Sequence, residues 1–452
     1  MINLPISKAL CLAVLFVVAG GAAAAQEPLT LQRAIDQALG MNPEARQAGA
    51  GMREARANAA LARTQLLPQL NFTEDISRGD DPVYVFGSKL RQQAFTQADF
   101  AVNALNRPQP VGNFASRFSG QWLAFDSFRT QKEIHSADLM RKSSESAAKA
   151  VNQKVVLDVV QAYQSVLYAE REVAIAQREQ ETAQALLGSV SDHVNAGLAV
   201  ESDRMSAQVN VAARTQELIA AQGDLEMAWA QLRMAMGMPA LKKTELAPIA
   251  PHEFPETALD ADLDAAFKTR ADFQALSQAE SAQSGQVSAA KLSFGPRISA
   301  YGNWEQDRPT FAGAGGNNWV AGAQITLDIA PFSKRAQLQH EVAARERIDA
   351  QVASYRQQVQ LQVTQAHIAL QTAQLSIQTA KAALDQSAES LRILRNRYGA
   401  GLATITDLLR AEDAERQSQT NYWHAVYGNA MAYAQLLFAT GTLTPDAAEG
   451  LQ

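Results

Sequence analysis

The chain has 452 residues, a single cysteine and a formal net charge of −6, with 47% hydrophobic and 19% charged residues. A mildly acidic chain carries no electrostatic footprint for nucleic acid, and one cysteine excludes a disulfide framework. The length would suit two or three ordinary domains.

Lys8 precedes an apolar run from Ala9 to Ala19 and a small-residue tail from Gly20 to Ala25. This predicts a secretory signal over 1–25, cleaved after Ala23–Ala25, with Gln26 as the first mature residue. The run is short of the roughly 20 apolar residues of a membrane-spanning helix. Cys11 lies inside it with no small-residue cleavage site before it, so neither a lipid anchor nor thiol chemistry is expected. Losing Lys8 moves the net charge from −6 to −7. No later segment is apolar and long enough to span as a helix, so any membrane part must be built of strands.

A short helix is expected from Leu29 to Leu39, capped by Thr30 and ended by Gly40, and a second from Pro43 to Gln65. After Pro68, Gln69 to Ser77 reads as extended. Residues 78–112, with Gly79, Asp80, Asp81, Pro82, Pro108 and Pro110, have loop composition. From Phe114 to Phe125 the pattern alternates with period two, a strand signature. Asp126 and Ser127 can cap a helix from Phe128 to Leu187 that holds no proline and runs about 90 Å. A turn over Ser191–Val200 and a returning helix from Glu201 to Met236 follow.

The second half replays this order: helices over Leu259–Thr269 and Asp272–Leu292, then a strand after Pro296 and a glycine-rich loop, Ala312–Gly316. Trp319, Ala321, Ala323, Ile325 and Leu327 then share one strand face. A helix from Ser333 to Tyr398, a turn at Gly399–Gly401 and a helix from Thr404 to Thr440 close it. Val155, Val159, Ala162, Val166, Ala169, Val173 and Ala176 form a stripe in steps of four and three. Val359, Val363, Ala366, Leu370, Ala373, Ile377 and Ala380 repeat it 204 residues on, the seam of a duplicated coiled coil. Pro68 pairs with Pro296 at an offset of 228 and Gly197 with Gly401 at 204, so the first half carries a net insertion of 24, after Ser77. The expected organisation is a first repeat over 26–239, a linker over 240–258, a second repeat over 259–441 and a tail over 442–452.

Each repeat supplies two strands, with aromatics (Phe114, Trp122, Trp304, Trp319) placed toward strand ends as in a membrane girdle. Transmembrane barrels begin at eight strands, so closure requires further copies of the chain. The stripe is then expected as the stave-to-stave contact of a tube built by several chains.

The twin junctions Leu66-Leu67-Pro68-Gln69-Leu70 and Phe294-Gly295-Pro296-Arg297-Ile298 carry a resemblance over essentially the whole mature chain. So do the twin turns, His193–Asp203 and Arg397–Asp407, and the twin closing segments, Ala230-Gln231-Leu232 and Ala434-Gln435-Leu436. In their order and duplication the chain resembles the TolC-type outer-membrane efflux proteins. The resemblance implies a mainly α fold with a small transmembrane β part, and a homotrimer with a twelve-stranded β-barrel and a twelve-helix periplasmic α-barrel. It also implies an exit duct of a tripartite efflux or type I secretion system in a Gram-negative outer membrane, joined to a periplasmic adaptor and, through it, an inner-membrane pump. The pump sets the cargo, so drugs, metal ions and secreted polypeptides all fit.

The resemblance places Asp407 at the periplasmic constriction, where three carboxylates would ring the aperture and hold cations. Equally, Asp407 could simply complement the start of its helix. Arg410 stands where some family members have a second acid, and could pair with Asp407. Asp203, the counterpart of Asp407, is similar to a position whose polar links hold the tips closed, with Tyr398 as candidate partner. The turns Ala196-Gly197-Leu198-Ala199 and Ala400-Gly401-Leu402-Ala403 are the expected adaptor-docking surface.

The six histidines (His135, His193, His252, His340, His367, His424) lack metal-ligand spacing and read as scattered surface residues. Met234, Met236 and Met238, in steps of two, cannot share a helical face, which argues against a soft-metal site. No nucleophile–base pattern or phosphate loop occurs, so neither an enzyme nor a cofactor is expected. The competing reading is a periplasmic coiled-coil adaptor, although adaptors hold one hairpin flanked by compact β-domains.

Overall fold

The computed structural model describes residues 28–248 and 252–451. The expected signal peptide, with Lys8, Cys11 and Gln26, lies outside the described residues. Thr30 caps α1 (Leu31–Met41), its Oγ1 accepting from the Arg33 N–H at 3.2 Å. The helix runs through Gly40 rather than ending there. Asn42 is both its C-cap and the N-cap of α2 (Pro43–Thr64), accepting from the Glu44 N–H at 2.7 Å. Beyond Pro68 comes β1 (Gln69–Gly79).

The segment expected to be a loop is largely helical. It holds α3 (Pro82–Arg91), a 3-10 turn at Gln97–Phe100 and α4 (Val102–Asn106). The Asp81-Pro82 pair that reads as loop composition is also a helix start, with Asp81 accepting from the Tyr84 N–H at 2.9 Å. Phe86, Phe95 and Phe100 stack edge-on at 4.8 and 5.1 Å, and Lys89 reaches Asp99 at 2.5 Å. That bond and those from Thr96 hold Asp99 down at about 2.

β2 (Val111–Phe125) passes through left-handed Ser127 and Phe128 into α5 (Arg129–Asn195), where Asp126 accepts from the Thr130 N–H at 2.9 Å. The 67 residues of α5 span about 100 Å and continue past Leu187 and Ser191 to Asn195. α6 (Glu201–Ala235) returns. The second half comprises α7 (Leu259–Thr269), α8 (Ala271–Leu292), β3 (Arg297–Arg308), β4 (Gly316–Thr326), α9 (Pro331–Gly399), α10 (Ile405–Thr440) and a terminal α11 (Pro445–Glu449).

The strands form one antiparallel sheet in the order β1-β2-β3-β4, and among the described residues nothing pairs with the outer edges of β1 and β4. Its two faces differ sharply. Register aligns Phe72, Phe118, Trp304 and Trp319 in one row, and Leu70, Ile76, Trp122 and Ile325 lie exposed on the same face. The two Trp residues expected near strand ends are therefore part of a row across the sheet, with Trp122 and Phe114 nearer the two ends. Asn71, Thr73, Arg117, Ser119, Asn303, Glu305 and Asn318 lie on the opposite, polar face.

The apolar stripe has a different partner from the one expected. Val155, Val159, Ala162 and Val166 are buried in the chain's own core together with Leu31, Ala34, Ile35 and Ala38 of α1. Val359, Val363, Ala366 and Leu370 join the same core, and α7 packs on α9 as α1 packs on α5. This part of the stripe is the seat of each repeat's short helix, not a contact between chains. Toward the tips, Ile377 and Ala380 emerge half-buried. Over its 69 residues α9 buries nothing else, so most of its length is exposed or half-buried.

The repeats also share a junction. Gly237 (φ +64) and Gly441 (φ +75) end the returning helices, where a Cβ would come within 2.7 Å of the backbone of Asn42 and Arg270 respectively. Asn42 Nδ2 donates to the Ala235 carbonyl at 2.8 Å, and Arg270 Nη1 to that of Ala439 at 3.2 Å. Asn42 and Arg270 stand 228 apart, the carbonyls 204 apart, so unlike side chains make one duplicated contact.

Candidate gating site at the helical tips

Both hairpin turns close by the same backbone device. Gly197 (φ +74) and Gly401 (φ +71) occupy the left-handed position just beyond α5 and α9. Leu198 N–H reaches back to the His193 carbonyl and Leu402 N–H to that of Arg397, each at 2.8 Å, which satisfies the last helical carbonyls. The two loops leave Leu198 and Leu402 exposed at 78% and 68%, alongside exposed Ala196 and Ala400. Ala199 and Ala403 are half-buried. A matched pair of exposed leucines thus stands at the end of the two hairpins.

The start of α10 differs from that of α6. Thr404 Oγ1 donates to Asp407 Oδ2 at 2.7 Å, the Thr404 N–H reaches the same oxygen at 3.2 Å, and the Asp407 N–H donates back to Thr404 Oγ1 at 3.2 Å. This reciprocal box holds the Asp407 carboxyl below its ordinary range, with Arg410 and Arg397 adding to the effect through space. Arg410 thus acts on Asp407 electrostatically, and its guanidinium forms no ion pair with that carboxylate. In α6 the N-cap is Val200, which offers no side-chain acceptor, so Asp203 is not drawn into a box. Burial, and then the charge of Asp203, raise the Tyr398 hydroxyl above its ordinary value. Tyr398 and Asp203 are therefore electrostatic neighbours across the two hairpins.

Two features of the tips escape the repeat pattern. Val190 of α5, Ala207 of α6 and Ile405 of α10 form a separate apolar knot, with Tyr398, Leu186, Leu187, Val194 and Leu409 against it. Ile405 stands where the repeat offset puts Glu201 in the first half. That break in the duplication was the available signal. Further from the turns, Arg214 of α6 donates through Nη1 to Glu217 at 2.7 Å and through Nη2 to Asp413, which lies about 12 Å beyond Ile405 along α10. Burial disfavours its charge, but Glu217 and Asp413 outweigh burial and hold it cationic. Close by, Glu412 is buried and pushed up by desolvation, against the pull of Arg395 at 3.4 Å. The tips are thus joined by one apolar contact and one belt of charge.

Elsewhere, His367 departs from the surface reading: it is half-buried, with Nδ1 2.9 Å from Asp262 Oδ2. Met236 is in the core while Met234 is exposed, as steps of two on a helix require.

The sequence matches the profile of the outer membrane efflux proteins over residues 34–238 and 263–442. It is 26% identical over 413 residues to the outer membrane protein OprJ of Pseudomonas aeruginosa, covering 86% of this chain and 79% of that one. It is 24% identical over 435 residues to protein CyaE of Bordetella pertussis, covering 94% and 86%. The fold superposes on the CmeC outer membrane channel of Campylobacter jejuni with a TM-score of 0.79 at 16% identity, covering 93% of this chain and 88% of that one. These matches decide against the adaptor reading, as does the single open sheet in place of compact β-domains. With two matched segments spanning nearly all of both repeats, the chain belongs to the outer membrane efflux protein family.

Proposed function

We propose that three copies of this chain close one twelve-stranded barrel in the outer membrane and gather their hairpins beneath it as a periplasmic tube. The observation that carries this is the open sheet, with two unpaired edge strands of 11 residues each. Unpaired edges in lipid leave backbone groups unsatisfied, and pairing β4 of one copy with β1 of the next removes every edge. The apolar face then meets lipid and the polar face lines the bore.

Asp407, Asp203, Tyr398 and Arg410 are assigned to the constriction at the tips. The duplicated turns Ala196–Ala199 and Ala400–Ala403 are assigned to docking a periplasmic adaptor, which links the duct to an inner-membrane pump. Exposed Leu198 and Leu402 support the docking assignment, and the Asp203–Tyr398 proximity supports the gating one. Detergent extraction of the outer-membrane fraction followed by native mass spectrometry tests the assembly. A trimer is expected, and recovery as a soluble periplasmic monomer would sink it.

A further inference from the structure

The 24-residue insertion folds onto the face of the sheet that the barrel turns inward. Apart from one bond to the Gly112 backbone carbonyl, every polar bond from the region of α3 to the sheet goes to a residue of the polar face. Tyr84 donates to Ser77 Oγ at 2.9 Å, and Gln92 donates to Asn113 Oδ1 at 2.9 Å and the Gly112 carbonyl at 2.8 Å. Asn318 Nδ2 lies 3.2 Å from the Arg91 carbonyl, and Arg91 stands 3.7 Å from Glu305. α3 packs against β2, β3 and β4 in turn, and its polar partners Ser77, Asn113, Glu305 and Asn318 all lie at one end of the strands, so it runs across the sheet along its outer rim. Val85, Ser88 and Gln92, at steps of three and four, are buried on the side toward the sheet. The other side carries Val83 and Leu90, exposed at 81% and 49%.

We propose that α3 is a resident stopper of the outer mouth, a second closure in series with the periplasmic tips. This rests on the trimeric exit duct proposed above. Twelve strands about 4.8 Å apart and tilted about 40° enclose a circle about 24 Å across between backbones. A helix with its side chains is about 10 Å wide, and three side by side need a circle of about 22 Å. Three copies of α3, one on each third of the rim, therefore cover the outer mouth and leave no passage for bulky cargo. The apolar side of each, Val83 and Leu90, is covered by the other two copies at the axis. The stopper is a built unit, with its own aromatic stack and the Lys89–Asp99 bond, and it is tied to the wall by a few polar bonds, from Tyr84 at its start and from Arg91 and Gln92 at its end. Passage outward requires those bonds to break and α3 to leave the axis.

The test reads access from outside the cell, so the state of the periplasmic tips does not enter. Ser119→Cys places a thiol on the polar face, two residues further along β2 than Arg117 and so deeper in the bore. A small sulfonated maleimide and a bulky polyethylene-glycol maleimide are applied to intact cells. One strain carries the full-length chain; in a second, residues 80–109 are replaced by a short Gly-Ser turn. In a third, Tyr84→Phe, Arg91→Ala and Gln92→Ala remove the side-chain anchors of α3 and keep the insertion. The small reagent is expected to label all three. The bulky one goes from no labelling of the full-length chain to complete labelling of the shortened one, with the anchor variant between. Equal labelling of all three by the bulky reagent overturns the stopper and leaves the duct standing. Failure of both reagents on every variant shows that the bore is not open outward, and removes the duct and the stopper together. If the shortened chain does not reach the membrane, the anchor variant decides alone.

Discussion

Arg214 on α6 donates to Asp413 on α10, so one largely buried guanidinium ties the returning helix of the first hairpin to that of the second. Its other arm holds Glu217, and Arg416 approaches the same carboxylate at 3.8 Å. The spread of the guanidinium suits this fork, since Nη1 and Nη2 reach acids on two different helices from separate nitrogens. Arg214→Ala is expected to loosen the tips, raising single-channel conductance in planar bilayers. The half-exposed Asp413 limits the stability loss to about 1–2 kcal/mol. Arg214→Lys should fall between. Unchanged conductance in both variants would show that the tie does not restrain the tips.

Asp407→Asn separates the two roles of that residue. Asparagine keeps an acceptor for the Thr404 box but removes the charge. Loss of block by multivalent cations, with the fold intact by circular dichroism, supports a carboxylate ring; unaltered block leaves Asp407 as a helix cap alone. The Asp407 carboxyl is held below its ordinary value of 3.8 in the folded chain. A depressed carboxylate stays ionised above the unfolded value and protonates only as pH falls through the folded one. Cation block should therefore be flat from about pH 7 to about pH 5 and disappear only below the ordinary carboxylate range.

Alanine at the four positive-φ glycines should divide them into two classes. At Gly197 and Gly401 an added Cβ meets nothing within 4 Å, so the cost is the left-handed backbone alone, about 1–2 kcal/mol. At Gly237 and Gly441 the Cβ would also strike the backbone of Asn42 or Arg270. Those two substitutions should cost more than about 3 kcal/mol and lower the amount of assembled protein. Thermal unfolding in detergent distinguishes the classes, and equal losses at all four sites would contradict the duplicated junction.

Arg270 is 4% exposed and grips Asp272 by two bonds, Nη2 at 2.6 Å and Nε at 3.0 Å, while Tyr355 donates to the same carboxylate at 2.7 Å. Burial raises the Asp272 carboxyl, and the bonds from Arg270 and Tyr355 overcome it, so the net shift is downward. Such a group contributes stability above its unfolded pKa and loses it as pH falls through the folded one. Arg270→Ala is expected to cost about 3 kcal/mol at neutral pH and to flatten the loss of stability on acidification below about pH 4. Unfolding measured at both pH values checks it; an unchanged acid response would assign that loss to other carboxylates.

Much of the fold is legible in the chain because it rests on local periodicity. Val155 to Ala176 and Val359 to Ala380 define helix faces, and Trp319 to Leu327 a strand face, wherever they later pack. Helix ends were less legible. Gly40 has the composition of a stop, yet Asn42 does that work because it must also cap α2. Asp81-Pro82 reads as loop because the same pair serves both turns and helix starts. At the site, the turn glycines and Asp407 follow from sequence, whereas Val190, Ala207 and Ile405 come together only across two hairpins.

By itself the sequence determined the duplication, the long hairpins, the two strands per repeat and the place of the insertion, all consequences of spacing along one chain. Only the tertiary structure decided what each face meets: α1 and α7 on the stripes, Asn42 and Arg270 in one duplicated contact, and α3 on the polar side of the sheet. Periodicity specifies which side of an element is buried. The partner that buries it is chosen by packing between residues far apart in the chain.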